Sequence, residues 1–180
     1  MRIISGKFKG RRIKVSKSLP IRPTTDFAKE SIFNIISNDI NLNDLKVLDL
    51  FSGSGMIGFE FISRGSEVMF VDNNIKCIRH ISNTLNLLEI NGKTIRKDVF
   101  KYLNNCNENF DLVFADPPYT FSDEKYEKLI SLIKKNILTN PNVLFILEHF
   151  KKKDFSQIEG SFDKRCYGDC SFTFFKQKSG

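Results

Sequence analysis

The chain has 180 residues, 41% of them hydrophobic, and its 18 Phe residues supply enough apolar volume for one core. This composition argues against global disorder. The sequence contains no run of about 18 apolar residues that could form a transmembrane helix, and the basic N-terminus lacks a signal-peptide segment. We therefore expect a cytoplasmic protein with no membrane segment.

The formal net charge is +7 and is unevenly distributed. Residues 1–25 contain eight of the 28 Lys and Arg residues and none of the 21 Asp and Glu residues, so residues 26–180 are nearly neutral. A basic segment of this kind favours a polyanionic partner, although it can also be a solvated tail that binds nothing.

The four cysteines predict neither a disulfide framework nor a metal site. Cytosolic chains of this size rarely carry disulfides. Cys77 lies three residues before His80, and Cys166 lies four residues before Cys170. A zinc site from these four side chains lacks the usual paired CxxC spacing, so we interpret the cysteines as ordinary thiols.

The first elements in the chain are a short β segment and a helix. Apolar residues alternate with cations over residues 2–15, and Gly6 and Gly10 punctuate them, which predicts a hairpin. Residues 26–37 carry apolar residues, Phe27 among them, near helical spacing. Three capping candidates precede this helix: Thr24, Thr25 and Asp26. We therefore divide the chain into a basic β extension (residues 1–25) and a second domain (residues 26–180).

From residue 46 onward, predicted strands alternate with predicted helices. Such alternation is typical of a mainly parallel α/β sheet covered on both faces, whose ligands bind at the carboxyl ends of the strands. The predicted strands are 46–50, 67–71, 94–95, 111–115 and 143–147, the helices are 55–63, 74–88 and 123–136, and a closing antiparallel pair is 161–166 and 171–176.

A glycine-rich motif follows the first of these strands. Gly53, Gly55 and Gly58 form a GxGxxG pattern that opens a helix, and Asp72 ends the next strand, 19 residues after Gly53. The glycines let a cofactor approach the backbone, and a carboxylate at position 72 can accept hydrogen bonds from ribose hydroxyls. This pair of features fits NAD nearly as well as S-adenosylmethionine, and a purely structural turn is a third interpretation.

Asp49, four residues before the first glycine, favours S-adenosylmethionine. A carboxylate facing this pocket would repel a pyrophosphate but would suit the α-ammonium group of a methionine moiety. The alternative is that Asp49 is a capping acid. Asp98 after the third strand can accept the adenine amino group while Val99 packs on the ring, although an isolated Asp in a loop is usually a cap.

The most specific motif is Asp116–Pro117–Pro118–Tyr119, directly after the fourth strand. The prolines fix the backbone, so the Asp116 carboxylate and the Pro117 carbonyl form a rigid pair of acceptors. An exocyclic amino group has two hydrogens that this pair can hold, and Tyr119 offers a face on which the base can stack. The motif predicts methylation of an amino group on a nucleic-acid base.

Together these motifs resemble the RsmD-type 16S ribosomal RNA (guanine-N2) methyltransferases, within the amino-group class of Rossmann-like enzymes. The resemblance rests on the opening MRIISGKFKGRRIKV, RPTTDFAKESIFNII (22–36), DLFSGSGMIGFEFISRGS (49–66), ADPPY (115–119) and Tyr167–Gly168. It implies a seven-stranded, mainly parallel sheet with a reversed last strand and a small N-terminal β extension. It also implies methylation of guanine 966 during assembly of the small ribosomal subunit.

The resemblance also implies roles for individual residues. Those expected to bind S-adenosylmethionine are Asp49, Phe51, Gly53, Ser54, Gly55, Asp72, Asn73, Asp98 and Val99. Those expected to hold the base are Asp116, Pro117, Pro118 and Tyr119. Those expected to contact RNA are Arg2, Lys7, Lys9, Arg11, Arg12, Lys14, Arg22, Pro23, Thr24 and Thr25. We expect the basic extension to stay outside the cofactor pocket, whose residues begin at Asp49.

The sequence departs from the family pattern at a few positions. Ser52 and Met56 stand where alanine is more familiar, and DFAKES (26–31) replaces a more basic DRVRE-like stretch, which removes one cation that could contact RNA.

Three rival functions share part of these features. A DNA adenine-N6 methyltransferase shares the Asp-Pro-Pro-Tyr motif but usually carries a target-recognition domain, for which 180 residues leave little room. An NAD-dependent oxidoreductase shares only the glycines, and a non-catalytic RNA-binding factor shares only the basic extension. Nothing in the sequence requires more than a monomer.

Overall fold

The computed structural model describes residues 1–15, 19, 25–139 and 141–177. Its sheet contains seven strands, which begin close to the predicted positions. They are β1 (Lys46–Leu50), β2 (Glu67–Asp72), β3 (Lys93–Arg96), β4 (Leu112–Ala115), β5 (Leu144–Phe150), β6 (Ser161–Tyr167) and β7 (Cys170–Phe175).

The strand order is β3-β2-β1-β4-β5-β7-β6. Strands β1 to β5 are parallel, whereas β7 runs antiparallel to both of its neighbours, β5 and β6. The predicted Rossmann-like sheet with a reversed last strand is therefore confirmed. The order reverses direction between β1 and β4, and this topological switch is where open α/β sheets bind their ligands.

Five helices in the described part of the chain flank the sheet. They are α1 (Asp26–Asp39), α2 (Met56–Ser63), α3 (Ile75–Leu87), α4 (Val99–Leu103) and α5 (Asp123–Asn136). Helix α1 begins where Thr25 accepts a hydrogen bond from the Ala28 N–H at 3.2 Å, as a threonine cap does. The sequence did not predict α4, because five residues are too few to show helical periodicity. Within the described ranges, no helix combines the length and apolar character needed to cross a bilayer.

The two faces of the sheet carry separate hydrophobic clusters. Along β1, Val47 packs in the cluster covered by α1, α2 and α3, and Leu48 packs in the cluster covered by α4 and α5. This alternation follows from the two-residue period of a strand. Because both faces are covered, β4 is apolar throughout and all four of its residues are buried.

The N-terminal extension folds back on itself and packs against the first cluster. The predicted hairpin is reduced to one antiparallel bridge between Arg2 and Arg12, supported by a 3.0 Å hydrogen bond from the Ile3 N–H to the Arg11 carbonyl. The Ile3 and Ile13 side chains are buried in the core beside α1 and α2. The extension therefore shares the core of the main domain.

A buried polar network fixes the extension in place. Glu60 on α2 accepts a hydrogen bond from the Ile4 N–H at 2.8 Å and pairs with Lys29 at 3.3 Å. Lys29 also donates to the Arg2 carbonyl at 2.7 Å, and Arg64 pairs with Glu60 at 2.6 Å. Because these charges are mutually paired and hydrogen-bonded, they hold the cationic surface of the extension in a defined position.

Candidate active site

A cavity of about 650 Å³ opens at the carboxyl ends of β1, β4 and β5, where the strand order reverses. Its walls include the loop after β1, the Asp-Pro-Pro-Tyr motif after β4 and the turn between β6 and β7. Four carboxylates line it: Asp49, Asp116 and Glu148, together with Asp169 in the turn between β6 and β7. The volume lies in the range of cavities that bind cofactors and small ligands.

Asp49 lies near the end of β1 and is only 2% exposed. Its Oδ2 accepts a hydrogen bond from the Gly58 N–H at 3.1 Å. Burial raises the pKa of this carboxyl well above its usual value, and the nearby charges of Asp116 and Asp72 raise it further, whereas the bond from Gly58 lowers it. A cationic ligand group at this position would therefore stabilise the ionised form.

The third glycine of the motif, Gly58, permits this contact. A Cβ atom added at Gly58 would lie 2.1 Å from Cε1 of Phe70 and 2.9 Å from Oδ2 of Asp49. Neither distance is compatible with a side chain, so only glycine lets α2 approach both β2 and the Asp49 carboxylate. This glycine serves to position Asp49.

The loop after β1 adopts a strained shape that hydrogen bonds maintain. Phe51 has a φ of 57°, which is uncommon for a residue with a side chain. The Ser52 hydroxyl donates to the Asp49 carbonyl at 2.6 Å, and the Gly53 N–H donates to the Asp72 carboxylate at 2.9 Å. Strain held in this way is typical of ligand-binding loops. Phe51, Ser52, Gly53 and Ser54 all line the cavity.

Other residues expected to bind the cofactor are not among those that line the cavity. Asp72 accepts hydrogen bonds from the Gly53 and Asn74 N–H groups, and Asp98 caps α4 by accepting from the Lys101 N–H at 3.0 Å. Both carboxylates thus accept hydrogen bonds from nearby backbone N–H groups.

The remaining three residues of that set have different positions. Val99 is buried in the core, Asn73 is exposed, and Gly55 is the residue at the start of α2, where a Cβ would lie 2.9 Å from Ile81. Gly55 therefore serves helix packing.

All four residues of the Asp-Pro-Pro-Tyr motif line the cavity. The Asp116 N–H donates to the Leu50 carbonyl at 3.3 Å, which ties the motif to the end of β1. The Tyr119 hydroxyl donates to Oε1 of Glu148 at 3.4 Å, and its ring lies 5.7 Å from that of Phe150. The aromatic face and the acidic acceptor are thus held at one opening.

Several residues at the cavity were not predicted. Glu148 is a further carboxylate there, and in the sequence it directly follows the apolar run predicted as a strand (143–147), as Asp116 follows its own strand, which is a sequence signal that could have identified it. Phe27, one of the apolar residues near helical spacing in 26–37, is 69% exposed and lies 6.1 Å from the ring of Tyr167. This aromatic pair lines the mouth of the cavity.

Met1 also lines the cavity, and the Ser54 hydroxyl lies 3.7 Å from its Sδ. The expectation that the extension stays outside the pocket was therefore wrong. It failed because the buried residues Ile3 and Ile13 draw the extension onto the domain core beside the loop after β1.

The cationic residues expected to contact RNA form an exposed surface on the extension. They are Arg2, Lys7, Lys9, Arg11, Arg12 and Lys14. Arg2 pairs with Asp26 at 2.9 Å, and the other five form no ion pair with any residue that the structure describes. Thr25 caps α1 and lines the cavity, whereas Arg22, Pro23 and Thr24 lie outside the described residues.

The four cysteines form no disulfide with one another, and Cys77 is the buried one among them. Over the described part of the chain, no group of three His, Cys, Asp or Glu side chains is arranged to hold a metal ion.

Comparison with known proteins agrees with this geometry. The family described as conserved hypothetical protein 95 matches residues 1–176. The chain belongs to this family. Its members are the RsmD-type methyltransferases, so the resemblance stated from the sequence is confirmed, and the protein is a methyltransferase.

Individual relatives support the assignment. The Buchnera aphidicola (subsp. Baizongia pistaciae) protein named ribosomal RNA small subunit methyltransferase D is 35% identical over 81% of this chain and 74% of its own length. The Escherichia coli K12 protein of the same name is 32% identical over 76% of this chain and 68% of its own. A Haemophilus influenzae crystal structure is 28% identical, covers 97% of this chain and 96% of its own, and superposes with a TM-score of 0.75.

Proposed function

We propose that this methyltransferase transfers the methyl group of S-adenosylmethionine to the N2 amino group of a guanine in small-subunit ribosomal RNA. One observation carries the proposal: Asp49 and the Asp-Pro-Pro-Tyr motif face the same cavity. A site for a cationic cofactor and a site for an amino group are thereby joined. The names of the Buchnera and Escherichia coli relatives support ribosomal RNA as the substrate.

The residues around Asp49 fit the methionine end of S-adenosylmethionine. A carboxylate that is buried and close to two other acids binds an ammonium group favourably, because the cation offsets both the desolvation and the repulsion. The Gly53 and Ser54 backbone lies beside it at the cavity wall. When bound, the cofactor supplies a sulfonium-activated methyl group.

The same acids argue against a dinucleotide. A pyrophosphate bound beside Asp49 would face carboxylates at positions 49, 116 and 148 of one cavity. Like charges at such short range repel strongly in a partly dry site. The NAD-dependent oxidoreductase is therefore the weaker interpretation.

The residues after β4 are suited to hold and orient the base. The Asp116 carboxylate and the Pro117 carbonyl can each accept one hydrogen of the exocyclic amino group, which directs the nitrogen lone pair toward the methyl donor. The half-buried ring of Tyr119 can stack on the base. Asp116 also stabilises the positive charge that develops on nitrogen, and it can take the proton as the bond forms.

The basic extension is suited to bind the RNA backbone. Its cations are exposed and mostly unpaired with described acids, so they can neutralise phosphates and release counterions. Because Met1 lines the cavity, this surface begins at the catalytic opening.

The test is a methyl-transfer assay with labelled S-adenosylmethionine. The acceptors are small-subunit RNA or particles from a strain that lacks this protein, and duplex DNA serves as the alternative acceptor. We expect transfer to the RNA, recovered as N2-methylguanosine at one position after nuclease mapping. Transfer only to DNA adenine would refute the proposal. A parallel thermal-shift comparison should show stabilisation by S-adenosylmethionine but not by NAD.

A further inference from the structure

Glu148 is a buried carboxylate that faces the base-binding side of the cavity. It is 4% exposed and lies within β5. The parallel register pairs Ala115 of β4 with Leu147 of β5, so Asp116 and Glu148 are the next residues on adjacent strands. Adjacent strands lie about 4.8 Å apart, so Asp116, just after the end of β4, lies beside Glu148 of β5, which continues to Phe150. Both line the cavity.

The surroundings of Glu148 keep its position fixed. On its other side it pairs with Phe172 of β7 in the antiparallel ladder, so its backbone lies in the interior of the sheet. The Tyr119 hydroxyl donates to its Oε1 at 3.4 Å. The buried hydroxyl of Tyr126 has a pKa raised first by burial and then by the charges of Asp116, Glu148 and Asp123.

Two adjacent acceptors match the edge of guanine. Guanine presents the hydrogens of its N2 amino group beside its N1–H, so this edge is a continuous row of donors. Adenine presents its N6 amino group beside the N1 lone pair, which is an acceptor. An ionised carboxylate can only accept hydrogen bonds.

We infer that Glu148 accepts the N1–H of the target guanine while Asp116 holds its N2 amino group, so that Glu148 determines the choice of guanine over adenine. This inference rests on the proposed function. Adenine placed with its amino group at Asp116 would direct a lone pair at the Glu148 carboxylate. The acid would then lose a hydrogen bond and face repulsion in a site shielded from water.

The purine analogue 2-aminopurine tests this role, because it keeps the 2-amino group but has a lone pair at N1. The assay uses two small-subunit RNAs that carry guanine or 2-aminopurine at the mapped target position. The measured quantity is kcat/KM of methyl transfer for the wild type and for Glu148→Gln. The amide of Gln is nearly isosteric with the carboxylate and can donate to the N1 lone pair.

We expect the wild type to prefer guanine by about 10²-fold or more, as sites built around a substrate donor do. Glu148→Gln should lower kcat/KM on the guanine RNA by about tenfold. It should also reduce the preference for guanine over 2-aminopurine to about tenfold or less. The matched control is Glu127→Gln, which makes the same change on the exposed side of α5 and should leave both values unchanged.

An equal loss on both substrates would overturn the inference, because it would mean that Glu148 only positions Tyr119. A wild-type ratio of kcat/KM for guanine over 2-aminopurine close to one would also overturn the inference. This measurement does not depend on the folding of any variant. A wild type that transfers no methyl group to the guanine RNA would instead refute the proposed function itself, so the two failures are distinguishable.

Discussion

The ends of β1 and β4 use their acidic residues differently from the ends of β2 and β3. Asp49 and Asp116 line the cavity, and Asp49 also accepts a hydrogen bond from the Gly58 N–H. Asp72 and Asp98 do not line it, and they accept hydrogen bonds from the Gly53 and Lys101 N–H groups. All four are carboxylates at the same sheet edge. The difference lies in the position of the strands: β1 and β4 flank the point where the strand order reverses, whereas β2 and β3 lie outside it.

This contrast predicts a graded set of mutational effects. Acids that face the cavity should affect chemistry or cofactor binding, and acids that serve the backbone should affect stability. The effects on function should decrease from Asp116 to Asp49 and then to the cations of the extension.

Replacing Asp116 should have the largest effect on catalysis. Asp116→Ala should lower kcat under saturating substrates by about 10²-fold or more, because it removes a contact that orients the amino group in the transition state. Affinity for S-adenosylmethionine should change much less. Steady-state kinetics combined with calorimetry separates the two quantities.

The matched control for this variant is Asp111→Ala. Asp111 precedes β4 at the opposite edge of the sheet, where it accepts a hydrogen bond from the Lys46 N–H at 2.8 Å. The Asp111→Ala substitution should lower the free energy of unfolding by about 1 kcal/mol and leave kcat within a few-fold of the wild-type value. Equal kinetic effects for the two variants would contradict the assignment of Asp116.

Replacing Asp49 should weaken cofactor binding. Asp49→Ala should reduce the binding free energy of S-adenosylmethionine by about 1.5–3 kcal/mol, the range for a hydrogen bond to a charged group. Isothermal calorimetry on the folded variant measures this directly, and an unchanged affinity would exclude the role assigned to Asp49.

Asp98→Ala is the comparison that sharpens this result. Loss of the α4 cap should lower the free energy of unfolding by about 0.5–2 kcal/mol. If Asp98 acts only as a cap, the affinity for S-adenosylmethionine should fall less than in Asp49→Ala. A larger loss of affinity in Asp98→Ala would show that the β3 end contacts adenine after all.

Cofactor affinity should also depend on pH through Asp49. Its pKa lies above 3.8 because of burial and the nearby carboxylates, so a neutral carboxyl persists to higher pH than usual. Only the ionised form attracts an ammonium group. Affinity should therefore increase as pH rises through this elevated pKa, by up to about tenfold per unit, and then level off. Asp49→Asn should remove this dependence, and a variant that retains the full wild-type profile would contradict the assignment.

The extension should contribute a smaller, salt-dependent effect. Changing Arg11, Arg12 and Lys14 together to Ala should weaken RNA binding and make the log–log salt slope shallower by about 0.7–0.9 for each phosphate that is no longer neutralised. Binding of S-adenosylmethionine should stay intact, because none of the three side chains lines the cavity. RNA affinity measured at several salt concentrations provides the slope.

The control for this triple variant removes the same charge from α5, which lies on the other face of the sheet. Its three exposed lysines are Lys125, Lys128 and Lys135. Replacing these lysines with Ala should change the log–log salt slope of RNA binding less than the Arg11, Arg12 and Lys14 variant does. If the slope of the Arg11, Arg12 and Lys14 variant equals that of the wild type, these cations are solvated and contact no phosphate.

The sequence was sufficient to predict most of the sheet and to single out the Asp-Pro-Pro-Tyr motif. The predicted strand 46–50 coincides with β1, because its apolar run between a charged residue and glycines defines both ends. All four residues of the Asp-Pro-Pro-Tyr motif reach the cavity. Signals of this kind are local, since they depend on residues adjacent in the chain.

The remaining features depend on long-range packing. Glu148 becomes a neighbour of Asp116 only through the register of β4 with β5, and no local pattern in the sequence encodes that pairing. Phe27 has helical spacing with core residues, but its position at the first turn of α1 places it at the cavity mouth. Met1 reaches the cavity only because Ile3 and Ile13 bury the extension against the core.

The central claim is tested most directly by mass mapping of 16S ribosomal RNA from the organism that encodes this protein. RNA from a strain without the protein is compared with RNA from strains complemented by the wild type or by Asp116→Ala. The account predicts that one N2-methylguanosine disappears on deletion, returns with the wild type and stays absent with Asp116→Ala. An unchanged set of methylated guanines in the deletion strain would contradict it.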